Sequence, residues 1–433
     1  MRFTCNCHPD HRFKYFSELF LLMTIDCDVL VVGAGPVGNT AAISAAKEGL
    51  KVVSIDRKLE IASPLRGGEA VCKPFFDELD TELNLLDKVP KKEVKGTLLR
   101  GGKCKIIDKE DKWKAYVVER AVMEKLLAEN AIDAGVDLRL GSELVSVSGS
   151  NRGISSATVR TIEGIFEINP EVVIAADGFA SFFRRYYKLD KPVKDWASAI
   201  ELEMAGIDFY TDELLQVFFE ESIAGGYTYV FPKSGSRGLT GVAMRPFFGA
   251  KESALEMFWR LKKSYSYLET QLRNAHAIEI RGGCIDVSGP LKELVYGNVM
   301  MAGDAANQNF AYIGEGLIPG MTGALLAGKK AALAIEKGDL TRLNEYPKEY
   351  EATSLWKELV QTWSIKEKID SLYDKSIPTD LKLAITCFLE MEIIDWTGKE
   401  LSAAFKITSL KELLSWGQEL ADAKSMKCEI TEE

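Results

Sequence analysis

Three glycines and one carboxylate near the start of the chain have the types and spacing of a dinucleotide-binding site. Gly33, Gly35 and Gly38 form a G-x-G-x-x-G turn, and Asp56 ends the next apolar run. In such a turn the first glycine permits the tight bend, the second lets backbone approach a pyrophosphate, and the third lets a helix pack closely. The helix N-terminus offers free N–H groups to the phosphates, and the aspartate accepts hydrogen bonds from a ribose. These residues predict a bound dinucleotide.

The elements that must position these residues can be read on both sides of the turn. Apolar residues 29–32 predict a buried strand, small residues 41–46 predict a helix, and residues 52–55 predict the next strand. A second strand-and-turn pattern occurs at 172–185, and a third at 298–308. Because these segments are far apart in the chain, we predict a nucleotide-binding domain assembled from separated pieces.

Three further segments favour FAD over NAD. Arg120 follows Glu119 at a helix start, where an arginine can brace a phosphate or the flavin edge. Asp177 and Gly178 end a buried strand in a turn with free amide groups. Asp304 ends another buried strand, and an acid there can bond the hydroxyls of a ribityl chain, which FAD has and NAD lacks. The predicted cofactor is therefore FAD.

The composition is that of an ordinary acidic globular protein. Hydrophobic residues make up 46% of the 433 residues, and the formal net charge of −10 disfavours a nucleic-acid partner. Scattered cysteines without a C-x-x-C pair indicate a reducing compartment, and no apolar run approaches the roughly 20 residues of a membrane-spanning helix. We therefore expect a cytoplasmic location. Residues 91–114 carry nine basic and four acidic side chains, which we interpret as a solvated hairpin, with contact to an anionic membrane surface as the alternative.

The first residues of the chain include four side chains of metal-ligand type. They are Cys5, Cys7, His8 and His11, in the order C-x-C-H-x-x-H. The spacing lacks the loop of a usual zinc site, so no metal is predicted. We interpret residues 1–25 as a disordered or non-native tail.

The order of the remaining elements predicts an α/β fold in three regions. A Rossmann-type FAD-binding domain is expected over 26–190 and 296–340. A sheet-plus-helix substrate domain is expected over 191–295, with one helix at about 251–274. A helical C-terminal region completes the chain over 341–433.

The motifs together resemble the flavoproteins related to p-hydroxybenzoate hydroxylase, and within that class the archaeal-type geranylgeranyl reductases. IASPLRGGEAV resembles their P-x-R-C-G-E-G stretch, AGGYTYVFPKSGSRGLTGVA their Y-x-W-x-F-P motif, and GEGLIPGMTGALLAG the start of their G-G-G-I helix. The resemblance covers roughly residues 26–390. It implies a reductase that uses reduced FAD to saturate isolated C=C bonds of geranylgeranyl or polyprenyl chains, such as those of archaeal-type membrane lipids.

The resemblance also implies which residues contact the cofactor. Asp304 would bind the ribityl or pyrophosphate region. Gly316 and Leu317 would place a helix N-terminus at the pyrimidine edge of the flavin, where N–H groups stabilise negative charge. The full implied set is Gly33, Gly35, Gly38, Asp56, Arg57, Arg66, Gly67, Gly68, Arg120, Leu144 through nearby backbone, Asp304, Gly316 and Leu317.

Three aromatic residues are the expected wall of a lipid site. Tyr227, Tyr229 and Phe231 alternate, so they face one side of a strand. Hydride addition to an isolated alkene needs a coupled proton. The candidates for its donor are Tyr227, Tyr229, Glu69 and ordered water.

The chain departs from the family pattern at four positions. The family cysteine beside the flavin is Gly67, and the tryptophan of Y-x-W-x-F-P is Tyr229. The proline before the G-G-G run is Ala311, and the middle glycine is Glu315, either a flavin neighbour or a surface acid at a helix start. These departures bear on the active-site chemistry and the substrate more than on FAD binding.

Several alternatives stay open on the sequence. One is an aromatic or quinone-ring monooxygenase, a second an electron-transfer flavoprotein acting on membrane quinone, and a third a flavin-binding protein without catalysis. The electron donor is open among NADPH, ferredoxin and a deazaflavin, because no second nucleotide fingerprint appears. The expected partner is an isoprenoid lipid, met by peripheral contact with the inner face of the membrane.

Overall fold

A computed structural model describes residues 24–108, 114–150, 153–189, 195–223, 225–249, 251–373, 375–395 and 398–433. Its strands in chain order are β1 Thr24–Val32, β2 Val52–Ile55, β3 Ala70–Cys72, β4 Lys91–Glu93, β5 Gly96–Gly101, β6 Cys104–Asp108, β7 Ala115–Val118, β8 Asp137–Arg139, β9 Glu143–Ser150, β10 Gly153–Arg160, β11 Ile165–Ala175, β12 Trp196–Ala205, β13 Leu214–Phe219, β14 Tyr227–Ser234, β15 Arg237–Met244, β16 His276–Asp286, β17 Val295–Tyr296, β18 Val299–Met301 and β19 Cys428–Glu432.

The α-helices alternate with these strands and dominate the C-terminal part. In chain order they are α1 Pro36–Lys47, α2 Lys73–Leu83, α3 Arg120–Asp133, α4 Phe182–Tyr186, α5 Ala254–Ser264, α6 Ser266–Leu272, α7 Leu317–Glu336, α8 Glu345–Glu351, α9 Ser354–Tyr373, α10 Thr379–Glu390, α11 Lys399–Ala404 and α12 Leu410–Ala423. Short 3₁₀ turns occupy Pro246–Phe248, Gly303–Ala306 and Leu340–Asn344. The cysteines and histidines of the expected N-terminal tail lie outside the described residues.

The first sheet carries the dinucleotide turn. Its order is β17-β18-β11-β1-β2-β8, and β18, β11, β1, β2 and β8 run parallel. Strand β10 extends it through antiparallel pairing with β11, and β9 pairs antiparallel with β10. Neighbouring strands come from distant parts of the chain, which confirms the α/β class and the assembly from separated segments.

Helices α1 and α7 pack behind the turn through small residues. A Cβ at Gly328 would lie 2.7 Å from the carbonyl oxygen of Ala41, so only glycine allows this approach. The hydroxyl of Ser44 donates a 2.7 Å hydrogen bond to the carbonyl of Leu325 across the same contact. The small-residue helices therefore hold the two separated halves of the nucleotide-binding unit together.

The second sheet is formed by eight strands in the order β16-β12-β15-β14-β13-β5-β6-β19. All pairs are antiparallel except β13 with β5. Helices α5 and α6 pack on one part of it, with extended Tyr265 between them where a single helix was predicted. The short third sheet, β3-β7-β4, carries the loop of residues 66–69 on its edge.

Within the lysine-rich stretch, β5 and β6 form a hairpin, and its interpretation as solvated is wrong for β5 and most of β6, while residues 109–113 lie outside the described residues. Every residue of β5 is buried, because β13 pairs with it and the C-terminal helices cover Leu99, Cys104 and Ile106. These strands hydrogen-bond within the second sheet although they fall in the range expected for the FAD-binding domain. The division of the chain into domains stays a prediction.

A buried ion cluster ties the C-terminal helices to the second sheet. The Arg245 Nε donates to Asp195 at 2.8 Å, and its guanidinium also reaches Asp370 on α9 at 2.9 Å. Lys366 on the same helix pairs with Asp370 at 3.1 Å and with Asp195.

Among the described helices, none combines the length and apolar composition needed to cross a membrane.

Candidate cofactor and substrate site

The glycine turn after β1 contains two tightly packed glycines and one glycine that faces open space. Gly33 has a positive φ of 102°, and a Cβ there would collide with the carbonyl oxygen of Ala176. A Cβ at Gly38 would collide with the carbonyl of Gly33. A Cβ at Gly35 would meet no atom within 4 Å, at the point where α1 begins with Pro36. Bare backbone at an open helix N-terminus is the feature that phosphate binding requires.

Asp56 lies beside this turn at the end of β2. Its Oδ2 accepts from the N–H of Ala34 at 2.9 Å, and its backbone carbonyl accepts from the N–H of Ser142 at 2.8 Å. The segment that leads into β9 therefore adjoins Asp56, while the side chain of Leu144 packs into the core. The adjacent Arg57 is exposed.

Arg120 braces the exposed loop that contains Arg66, Gly67 and Gly68. Its guanidinium donates to the carbonyl of Gly68 at 3.1 Å and to Glu124 at 2.8 Å. Gly67 has a φ of 84°, and a Cβ there would lie 2.7 Å from Nη1 of Arg120. A cysteine at this position would be strained and would displace the arginine, which gives a physical reason for the glycine.

Asp304 lies next to the start of α7. A Cβ at Gly316 would lie 3.1 Å from Oδ1 of Asp304, and α7 begins at the next residue, Leu317. Burial raises the pKa of the Asp304 carboxyl, and the charges of Arg120 and Arg184 oppose that rise. The expected ribityl contact and the expected flavin-facing helix N-terminus thus lie side by side.

A lysine fills a group of three carboxylates beneath the Arg120 loop. The Lys233 ammonium lies 2.5 Å from Glu69, 2.8 Å from Glu119 and 2.9 Å from Glu203, and its side chain is 3% exposed. Burial disfavours the ammonium, but the three acids outweigh it and raise the pKa of Lys233. The three acids are close enough to hold a metal ion, and the ammonium occupies the space between them.

Arg281 connects this cluster to Tyr229 on β14 through Glu201. It pairs with Glu69 at 3.1 Å and with Glu201 and Glu203 at 3.3 Å each. The hydroxyl of Tyr229 donates to Oε2 of Glu201 at 2.9 Å. Burial raises the pKa of Glu201 to about 7, against the pull of Arg281 and of this hydrogen bond.

A cavity opens between β13, β14, β5 and the loop before α7. Tyr227 and Phe231 are in its wall, and Tyr229 stacks on Phe231 with ring centroids 4.5 Å apart without lining the cavity itself. The hydroxyl of Tyr227 is committed to the carbonyl of Ile313. The lining residues are Ala70, Val71, Cys72, Thr97, Leu99, Ala115, Leu215, Val217, Phe219, Tyr227, Phe231, Ile313, Glu315, Glu390 and Met391.

Comparison with known proteins identifies the family to which this chain belongs. A family model described as an FAD binding domain matches residues 26–280. Digeranylgeranylglycerophospholipid reductase 1 of Methanothermobacter thermautotrophicus is 31% identical over 410 residues, which cover 92% of this chain and 99% of that protein. The chain belongs to the geranylgeranyl reductase family. It is an FAD-dependent oxidoreductase.

Further relatives of this geranylgeranyl reductase family member agree. The digeranylgeranylglycerophospholipid reductase of Thermoplasma volcanium is 32% identical, over 81% of this chain and 89% of that protein. A crystal structure of a geranylgeranyl bacteriochlorophyll reductase-like protein from Thermoplasma acidophilum superposes with a TM-score of 0.72 at 26% identity. The match covers 92% of this chain and all of that one.

The described residues of this family member fit FAD. The turn at Gly35 is open in front of a helix N-terminus, and Asp304 follows β18 of the same sheet and lies beside the start of α7. Arg120 is close enough to Asp304 for its positive charge to favour the Asp304 carboxylate. The individual contacts of the implied residues stay predictions.

The sequence reasoning missed the buried charge cluster of this reductase family member. Glu201, Glu203, Lys233 and Arg281 received no role, although all four are in or beside strands of the second sheet. Their signal was present as Glu201 and Glu203 alternating with apolar residues in β12, since charged residues are almost never fully buried unless paired.

Proposed function

We propose that the protein reduces carbon–carbon double bonds of isoprenoid lipid chains, such as the geranylgeranyl chains of archaeal-type membrane lipids. The observation that carries the proposal is the cavity beside the start of α7, whose wall is largely apolar. The printed names of the relatives at 31–32% identity support the same substrate class.

The residues of the chain divide the work of such a reaction. FAD, when bound and reduced, supplies the hydride. The cavity wall excludes water and holds the apolar chain, and Tyr227 and Phe231 offer ring faces that stabilise developing positive charge at an alkene carbon. The bond from Tyr227 to the carbonyl of Ile313 fixes the orientation of that ring.

The candidates for proton donor differ in their access to the cavity. Tyr227 lines it, whereas Tyr229 points its hydroxyl at Glu201, and Glu69 is enclosed by Lys233 and Arg281. The roles of Tyr227, Tyr229 and Glu69 stay predictions. Ordered water stays an alternative.

The proposed partners follow from the substrate. Isoprenoid lipids of this kind reside in bilayers, so we propose a cytoplasmic protein that contacts the inner face of the membrane peripherally. The electron donor is one of NADPH, ferredoxin or a deazaflavin. Flotation of the holoprotein with anionic lipid vesicles tests the membrane contact, and failure to float at low salt contradicts it.

The direct test of the function is anaerobic. Dithionite-reduced holoenzyme is mixed with a geranylgeranyl lipid, and the product mass is measured. We expect a gain of one or more pairs of hydrogen atoms, coupled to reoxidation of the flavin. No mass gain across several polyprenyl lipids contradicts the proposal, and oxygen uptake with NADPH and an aromatic substrate would favour the monooxygenase alternative instead.

A further inference from the structure

Glu315 places a carboxyl group in the largely apolar wall of the cavity. Its Oε1 accepts a 2.9 Å hydrogen bond from the N–H of Ile318, in the first turn of α7. Its Oε2 is buried and has no hydrogen-bond partner among the described residues. A buried polar atom left unpaired costs about 1–3 kcal/mol, so its retention calls for a ligand or a chemical role.

The position of Glu315 joins the two halves of the site. It lines the cavity, and the next residue, Gly316, adjoins Asp304 at the N-terminus proposed to face the flavin. Tyr229 and Glu69 do not line the cavity, and the hydroxyl of Tyr227 is already bonded to backbone. Of the two carboxyl groups in the cavity wall, Glu315 and Glu390, Glu315 is the one next to the helix N-terminus that is proposed to face the flavin.

The charged and titratable groups around Glu315 come from several elements. Arg120 on α3 attracts it and Asp304 repels it, while the N–H groups of Leu317 and Ile318 stabilise its anion. Tyr350 on α8 also faces it, and Tyr227 and Glu390 share the cavity wall. Burial dominates and raises the pKa of Glu315 to about 7. Near neutral pH the carboxyl can therefore hold a proton and regain one from water.

We propose that Glu315 is the general acid that protonates the substrate double bond, an inference that rests on the proposed reductase function. A hydride with its electron pair adds to one alkene carbon, and the reduced flavin that supplies it is oxidised by two electrons. The O–H bond of Glu315 breaks as a C–H bond forms at the other carbon. The carboxylate that remains keeps its hydrogen bond from Ile318 and recovers a proton from solvent.

The test compares Glu315→Gln and Glu315→Asp with wild type and with Glu336→Gln, an exposed change at the other end of α7. Anaerobic, FAD-loaded and dithionite-reduced proteins are mixed with digeranylgeranylglyceryl phosphate, and flavin reoxidation is followed by stopped flow across pH 5.5–8.5. General acids contribute about 100-fold or more, so Glu315→Gln is expected to slow reoxidation by at least about 100-fold. Glu315→Asp is expected to retain part of the rate, and Glu336→Gln all of it.

Two readouts independent of turnover accompany the rates. Binding of the lipid to oxidised holoprotein, measured by flavin fluorescence, is expected to be unchanged in Glu315→Gln. The infrared difference spectrum of wild type minus Glu315→Gln is expected to contain a carboxylic-acid C=O band that titrates near pH 7, because the band of Glu201, whose pKa burial also raises to about 7, cancels in the subtraction. If the difference spectrum lacks such a band, or if wild type and variant share one pH profile of the rate, the proposal is wrong.

Other outcomes separate this proposal from the function it rests on. If Glu390→Gln slows reoxidation by 100-fold and Glu315→Gln does not, the acid is the other carboxyl of the wall and the assignment to Glu315 is overturned. If wild type itself reduces none of several prenyl lipids, the proposed function fails and the acid role falls with it. If wild type is active and Glu315→Gln keeps its full rate, only the acid role fails.

Discussion

The hydroxyl of Tyr229 donates a 2.9 Å hydrogen bond to the buried carboxyl of Glu201. The resemblance to geranylgeranyl reductases places a tryptophan at position 229, and an indole carries its one N–H donor on the ring, at a different point from the tyrosine hydroxyl. The other oxygen of Glu201 lies 3.3 Å from Arg281 without a hydrogen bond. The tyrosine is thus the hydrogen-bond donor that satisfies an acid beneath the Arg120 loop.

Replacing Tyr229 with phenylalanine is expected to destabilise the fold. The change leaves a buried carboxyl oxygen of Glu201 without its donor, and the loss of such a bond costs about 1–3 kcal/mol. The free energy of unfolding from urea denaturation of the holoprotein measures this. Tyr210→Phe is the matched control, because that ring is 52% exposed and surface changes stay within about 0.5 kcal/mol. Equal losses in the two variants contradict the prediction.

Removing the ammonium of Lys233 is expected to be more damaging. Lys233→Met leaves Glu69, Glu119 and Glu203 facing one another in a buried space, and breaking one partner of such a cluster costs about 3–5 kcal/mol. Thermal and urea unfolding of the purified variant measure the loss.

The control for Lys233 is an ion pair at the surface. Lys329 lies 2.8 Å from Glu82, and both side chains are well exposed. Lys329→Met is expected to change the free energy of unfolding by about 0–1 kcal/mol. A Lys233→Met variant as stable as this control would show that the three acids relax or take up protons at little cost.

The nucleotide-binding half of the fold could be predicted from sequence because its signals are local. Each short segment has its own sequence signal: the glycine spacing, the small residues of α1 and the buried strand before Asp304. Strand β1, helix α1 and strand β2 lie where these signals predicted them. The helix that starts at Arg120 was likewise predicted where the structure has it.

The second sheet and its buried charge cluster depend on contacts between residues far apart in the chain, which no local sequence pattern predicts. Strands β5 and β6 join the second sheet because β13 pairs with β5 from more than a hundred residues away. The buried cluster needs Glu69, Lys233 and Arg281 to converge from three separate strands or loops. The helix predicted over 251–274 is divided into two helices at Tyr265. The backbone of Tyr265 is extended, and its residue type gives no signal of a break in the helix.

Two glycine variants are expected to separate folding from FAD binding. Gly38→Ala puts a methyl group against the carbonyl of Gly33, so both the stability of the protein and its FAD content should fall. Gly35→Ala meets no protein atom, so stability without FAD should stay unchanged, while FAD affinity falls about tenfold or more, equivalent to about 1.4 kcal/mol.

The measurements for the glycine variants are thermal unfolding of the FAD-free protein and titration with FAD. Gly283→Ala is the control, because a Cβ there also meets open space and the position is on β16, in the other sheet. Full FAD affinity in Gly35→Ala would mean that the pyrophosphate does not approach this backbone.

The stability of the fold is expected to depend on pH through Glu315. A glutamate has a pKa of about 4.3 in an unfolded chain, and burial raises that of Glu315 to about 7 in the folded protein. Between these values the folded state binds more protons than the unfolded state. The free energy of unfolding therefore falls as pH rises through this window.

Glu315→Gln removes this dependence and should become more stable than wild type as pH rises from about 4.5 to 7. The gain reaches on the order of 3 kcal/mol at its full extent. Urea denaturation of both holoproteins at a fixed FAD concentration and at several pH values measures it. In Glu336→Gln, where Lys337 lowers the pKa of the replaced acid, no such gain is expected. A constant difference between wild type and Glu315→Gln across this range would show that the Glu315 carboxyl keeps an ordinary pKa in the fold, because Glu201 titrates in both proteins and cancels from the comparison.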